Sequence, residues 1–321
     1  SFSHVLVAFF LDAIGYVIKS VSETNILYDS LPSGKKRGSL YSMIDGAGVS
    51  RYYVIDAVTS LIAGFAYVIN PYIPIVLCLI TNLIATYLST KFKSIRATQV
   101  DEAPNGFKEY CADFKEAIKF VISSKRILYL LIYFGLILGL TCNLTTFRSG
   151  VLNQINIPEQ YFGIIFALIQ IASALCTTMN KKIHKKFRNK TLTVLGVPLT
   201  VSFVLIGILG MVNKLNFVII LLFILHGVIK GPFNVLIYRY LNNFTNRNIR
   251  AKLATIRSMI YNVFSILISV LGSILLSKVS ASETIMIVGG VSTVILFILL
   301  VRMKNTVGLK PEQYNEEDLK Y

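Results

Sequence analysis

The 321-residue chain is 54% hydrophobic and only 15% charged, with a mean hydropathy of +0.65. That is too apolar for an ordinary soluble domain and points to an integral membrane protein. A formal net charge of +16 would suggest nucleic acid as a partner, but the placement of the charges, set out below, gives them another purpose. The four cysteines, Cys78, Cys111, Cys142 and Cys176, show neither close pairing nor metal-ligand spacing and read as free thiols filling space.

A spanning helix needs about 20 mostly apolar residues. Nine runs qualify: 4–29, 39–67, 73–92, 127–147, 160–180, 191–212, 215–240, 252–277 and 283–302. No run alternates with period two, which disfavours a β-barrel. The first run starts almost at Ser1, with no basic n-region and no small-residue cleavage site, and so does not read as a signal peptide. It carries Asp12, Lys19 and Glu23, which at 100° per residue fall within about 40° of one another. Charges inside spans usually face a cavity or a partner. The stripe therefore reads either as a cavity lining that binds a polar substrate or exchanges protons, or as an ion pair holding helices together, Lys19 with Glu23. In the second run Asp45 and Asp56 share a face, and Asp56 is near mid-span. It is a candidate titrating carboxylate, with a structural salt bridge to Arg51 or Lys19 as the alternative.

The segment 91–126 differs from everything around it. It is long and charged, turns at Asp101-Glu102-Ala103-Pro104-Asn105-Gly106, and then shows one apolar helical face, Phe107, Tyr110, Cys111, Phe114, Ile118, Val121 and Ile122. It reads as an amphipathic linker helix between a block of three runs and a block of six. In the later block Gln170, Ser173 and Thr177 read as helix-packing polarity. His226, Lys230 and Asn234 repeat every four residues, and Gly231-Pro232 is expected to interrupt the helix beside them. Lys230 can counter an anionic substrate or an acidic residue. His226 is a substrate candidate or a hydrogen-bonded interhelical residue. Arg257 shares a face with Tyr261 near one end of its run, where it can snorkel or gate. The tail 304–321 is short and polar and reads as disordered.

Lys and Arg placement orients the spans. With the loop after the first run taken as cytoplasmic, 25 of the 32 Lys and Arg residues fall on that side, and Arg148, Lys214 and Lys278 fall on the other. The remaining four, Lys19, Arg51, Lys230 and Arg257, lie within spans. This explains the basic balance without nucleic acid and puts the C-terminus in the cytoplasm. A weak repeat links Tyr28, Leu31 and Arg37 to Tyr238, Leu241 and Arg247 at a constant offset. If it is real, three further spans belong before the first run.

Specific residues then carry a family likeness. Ser22-Glu23-Thr24-Asn25-Ile26-Leu27-Tyr28-Asp29 resembles the acidic end of a fourth helix, and Phe162-Gly163 the start of an eighth. Asn180-Lys181-Lys182-Ile183-His184-Lys185-Lys186-Phe187-Arg188-Asn189-Lys190 is similar to a basic loop motif, and Arg250 to Ser258 to the start of an eleventh helix. Together they resemble the major facilitator superfamily. That resemblance implies an all-α polytopic bundle of two six-helix halves joined by a cytoplasmic linker, the halves being parallel repeats. The expected organisation is 1–90 as three spans of the N-terminal half, 91–126 as linker, 127–303 as the C-terminal half and 304–321 as tail, with the first three helices of the pattern absent. Leu11 stands where drug–proton antiporters carry an arginine, and Gly46-Ala47-Gly48 lacks their proline, which argues against that activity. The resemblance implies a secondary transporter of a small solute, ion- or proton-coupled, in a bacterial plasma membrane. The alternatives are a multidrug efflux permease, a non-transporting scaffold or sensor, and a subunit of an ATP-driven permease. No enzyme constellation and no cofactor motif is found. The expected partners are the lipid bilayer, a small-molecule substrate and protons. The site candidates are Lys19, Glu23, Asp56, His226, Lys230 and Asn234, with Asp29, Arg37, Arg247 and Arg257 as cytoplasmic gate candidates.

Overall fold

The computed structural model describes residues 37–91, 118–187, 190–243 and 247–307, with residue 115 and scattered positions between 3 and 32. Among the described residues the structure is helical, with no strand. The helices are α1 (Arg37–Ile69), α2 (Tyr72–Ser89), α3 (Lys125–Gln154), α4 (Phe162–Thr178), α5 (Asn180–Phe187), α6 (Thr191–Val212), α7 (Asn216–Asn243), α8 (Arg247–Leu276) and α9 (Ala281–Met303), with a short 3-10 turn at Glu159–Tyr161. Eight stretches within them are long and apolar enough to cross a membrane. The chain is a multi-pass membrane protein. The first predicted run, 4–29, falls almost wholly outside the described residues. So does most of the linker helix, of which residues 118–123 are helical.

Two compact units are distinguished: Ser1–Val49 with Val76–Ala103, and Ser50–Ile75 with Pro104–Tyr321. In the first, α2 has no buried residue, so its Ile, Leu and Val side chains suit lipid. Its polar groups turn back on their own helix. Thr81 and Thr86 hydroxyls donate to the carbonyls of Leu77 and Asn82, at 3.0 and 2.9 Å, and the Asn82 amide donates to Cys78 O at 2.9 Å. A helix in hydrocarbon has no water to satisfy such groups, so internal bonding is what the environment requires.

The second unit is a helical bundle. Its main pairings are α6 with α9, α4 with α7 and α8 with α3. Glycines permit each of them. An added Cβ at Gly207 would meet Met286, one at Gly231 the Ser173 carbonyl, and one at Gly139 Phe264. Close backbone approach is how spanning helices gain van der Waals contact when lipid gives no hydrophobic drive for association. The centre is aromatic: Tyr133, Phe134 and Phe233 form a triangle with centroids 5.5–5.9 Å apart. The Tyr133 hydroxyl donates to Leu192 O at 2.7 Å, joining α3 to the start of α6.

The turns follow local chemistry. Asn70 accepts from the Tyr72 amide at 2.9 Å, fixing the α1–α2 turn. Asn213 ends α6 in the left-handed region (φ 51°). Ser280 and Glu283 form a capping box on α9. The basic motif forms α5, with Lys182, Lys185 and Lys186 exposed and Ile183 and Phe187 half-buried, an arrangement suited to a membrane interface.

Four expectations change. Gly231-Pro232 does not interrupt α7, which is continuous through Asn243. The fourth run does not end at residue 147: α3 continues to Gln154, and the turn comes at Asn156 (φ 57°) before Pro158. Cys78 and Cys142 are exposed and Cys176 is half-buried, so these free thiols do not fill the core. The tail does not loosen at residue 304, because Val307 is buried and Thr306 O accepts from Arg126 Nε at 3.2 Å.

Candidate functional site

The second unit brings together polar residues from four spans. α1 turns Tyr53 and Ala57 inward, both 3% exposed, and this places Asp56 on the same packed side. Gln170 of α4 donates through Nε2 to Asp56 Oδ2 in a close hydrogen bond. Lys230 of α7 holds its ammonium 5.7 Å from the Tyr53 ring centroid and is attracted electrostatically by Asp56. Among the described residues no salt bridge ties Asp56 to Arg51, which is exposed.

Arg148 is the residue that sequence reasoning misassigned. The sequence reading counts it in a loop, beyond the end of a run. It is instead 6% exposed within α3, its guanidinium carbon 5.0 Å from the Phe166 ring centroid and 5.7 Å from that of Phe223. Such cation–π contacts compensate part of the desolvation. They leave Nε without an acceptor among the described residues. The Arg148 charge also repels that of Lys230. The local sequence carried no signal for the longer helix, because Ser149-Gly150 and Asn153, all turn-forming types, lie between Phe147 and Gln154. Gln170 was likewise read as packing polarity. Ser173 and Thr177 do behave that way, donating to Ile169 O and Ser173 O at 3.0 and 2.6 Å, but Gln170 turns to Asp56.

His226 is fully buried and bonds across helices: its Nε2 lies 2.6 Å from the Ser202 hydroxyl of α6, and its ring stacks on Phe203 at 4.8 Å. The four-residue repeat on α7 therefore divides. His226 turns to α6, and Lys230 turns to α1. Asn234, Arg37 and Arg247 lie on described helices, but their side chains are outside the described part, as are Lys19, Glu23 and Asp29 altogether. Arg257 is half-buried on α8. Asp12 is exposed. Among the described residues no three His, Cys, Asp or Glu side chains are grouped to hold a metal.

Charges within spans are by default candidates for a functional site. A family model of the Major Facilitator Superfamily matches residues 129–319. The chain belongs to the major facilitator superfamily. No curated protein matches it. Superfamily members are membrane transporters whose substrate sites lie near the bilayer midplane. Arg148, Gln170, His226 and Lys230 fall inside the matched residues, and Asp56 precedes them.

Proposed function

We propose that the protein is a secondary active transporter that moves a small solute by alternating access, coupled to protons, with Asp56 as the coupling carboxylate. The observation that carries this reading is the Asp56–Gln170 hydrogen bond beside Lys230, which joins α1, α4 and α7 within their spans. A carboxylate here has two options. Ionised, it accepts from Gln170 and attracts Lys230. Protonated, it releases that attraction and leaves Lys230 and Arg148 facing the solute. Among the described residues the groups that face Asp56 are thus Gln170 on α4 and Lys230 on α7. A two-state element of this kind can link proton binding to the rocking of one helix group against another. Glu23, on the first run, is the second candidate for coupling, and Lys230 supplies charge complementarity. The charge map supports an orientation with linker and C-terminus in the cytoplasm, and the family membership is consistent with a plasma-membrane location.

The test is uptake into vesicles reconstituted with the full chain, using radiolabelled carboxylates, amino acids and sugars, with and without an inward proton gradient. The gradient should stimulate uptake of at least one solute, and Asp56→Asn should abolish that stimulation. Gradient-driven uptake that survives in both Asp56→Asn and Glu23→Gln removes these residues from coupling. Binding without turnover of any solute supports a scaffold or sensor instead.

A further inference from the structure

We infer that the site around Arg148 and Lys230 takes an organic carboxylate carried on an aromatic or apolar body, a reading that rests on the transporter assignment above. Two cations and one carboxylate, Arg148, Lys230 and Asp56, meet in the second unit. Among the described residues, with all three ionised, the site holds a net charge of about +1, a count that follows from their ordinary ionisation near neutral pH. Unpaired positive charge within a membrane protein is costly unless an anion answers it. An unfilled hydrogen-bond position agrees. Arg148 Nε, at a side chain 6% exposed, is a donor with no acceptor among the described residues, and a carboxylate oxygen would supply one.

The geometry selects the class of anion. A guanidinium presents a planar fork that matches a carboxylate with two parallel hydrogen bonds. Here the fork lies against the rings of Phe166 and Phe223, and Lys230 lies against Tyr53. Those walls are apolar and flat. They would desolvate a fully hydrated ion such as phosphate with little return, but they pack well against a ring or a short alkyl body. Lys230 answers the same charge from α7, while Asp56 engages Gln170 and limits the excess to about one charge.

The experiment is thermal unfolding of the purified full chain in detergent, followed by tyrosine fluorescence. The probes are benzoate, phenylacetate, benzamide, benzylamine and inorganic phosphate at matched concentration and ionic strength. Benzoate or phenylacetate should raise the Tm in a saturable way, and the amide, amine and phosphate should not. Loss of the charged hydrogen bonds in Arg148→Gln should weaken half-saturation by about tenfold or more. Lys230→Gln should weaken it as well, and Arg148→Lys should retain part of the effect. If Arg148→Gln does not fold, the Lys230→Gln and Arg148→Lys pair still decides. Equal stabilisation by benzamide or benzylamine, stabilisation by phosphate alone, or no stabilisation by either acid overturns the inference. Acid-specific stabilisation without flux would sink the transport reading and leave this one standing. Flux without acid-specific binding would do the reverse.

Discussion

His226 shows how a buried polar side chain in a span can be structural and still shape a site. Its Nε2 is satisfied by Ser202 and its ring is stacked on Phe203, while Phe223 meets it edge-on at 6.0 Å. Phe223 is also one of the two rings against Arg148, so the imidazole holds a wall of the cation's environment. Removing one partner of a buried hydrogen bond costs more than removing both, because an orphaned group keeps its desolvation penalty. Ser202→Ala should therefore lower unfolding stability by about 1 kcal/mol, within the range for interhelical bonds in membranes. Replacing both partners, Ser202→Ala with His226→Phe, should recover most of that loss. The measurement is a double-mutant cycle by denaturant unfolding in mixed micelles. Additive losses would mean that the two residues do not act as a pair.

At the scale of elements, the α4–α7 pairing decides where Gln170 and Lys230 stand. Gly227 and Gly231 lie one turn apart on α7 and pack against the Ile169 and Ser173 carbonyls of α4. A methyl group at Gly231 would also meet Thr177 Oγ1 at 2.7 Å, and backbone cannot yield as a flexible side chain can. Gly231→Ala should therefore destabilise by about 1–3 kcal/mol through overpacking. Gly290→Ala on α9 meets nothing within 4 Å and should be neutral or stabilising by up to about 1 kcal/mol, since alanine favours helix over glycine. Thermal unfolding of both variants compares them directly, and equal losses would show that the α4–α7 contact is not the cause. The sequence displayed Gly231 beside Pro232 and invited the reading of a break. The structure explains the glycine by proximity, and α7 runs on through Pro232, as spanning helices can.

For the whole molecule, the spans were legible because hydrocarbon demands long apolar helices: the predicted run 191–212 coincides with Thr191–Val212. The end at residue 212 was legible because Asn213 turns there, whereas the capping box of Ser280 and Glu283 starts α9 at Ala281, before the predicted 283. Asp56 and Lys230 could be picked out as charges within spans. Arg148 could not, because counting basic residues by loop assigns any arginine near a run's end to water. Whether it is buried depends on Phe166 and Phe223, both distant in sequence. Its burial also bears on orientation. On the proposed orientation the outer side keeps only Lys214 and Lys278 among the Lys and Arg residues assigned to it, and both are exposed. The positive-inside bias is stronger for that loss. In a background with the four cysteines replaced by alanine, Lys214→Cys and Lys278→Cys should react with a membrane-impermeant maleimide added to intact cells. Lys185→Cys on α5 and Lys304→Cys after α9, both exposed positions, should react only after permeabilisation. The reverse pattern would invert the orientation, and would turn the basic face of α5 away from the anionic cytoplasmic lipid surface that best accounts for its charge.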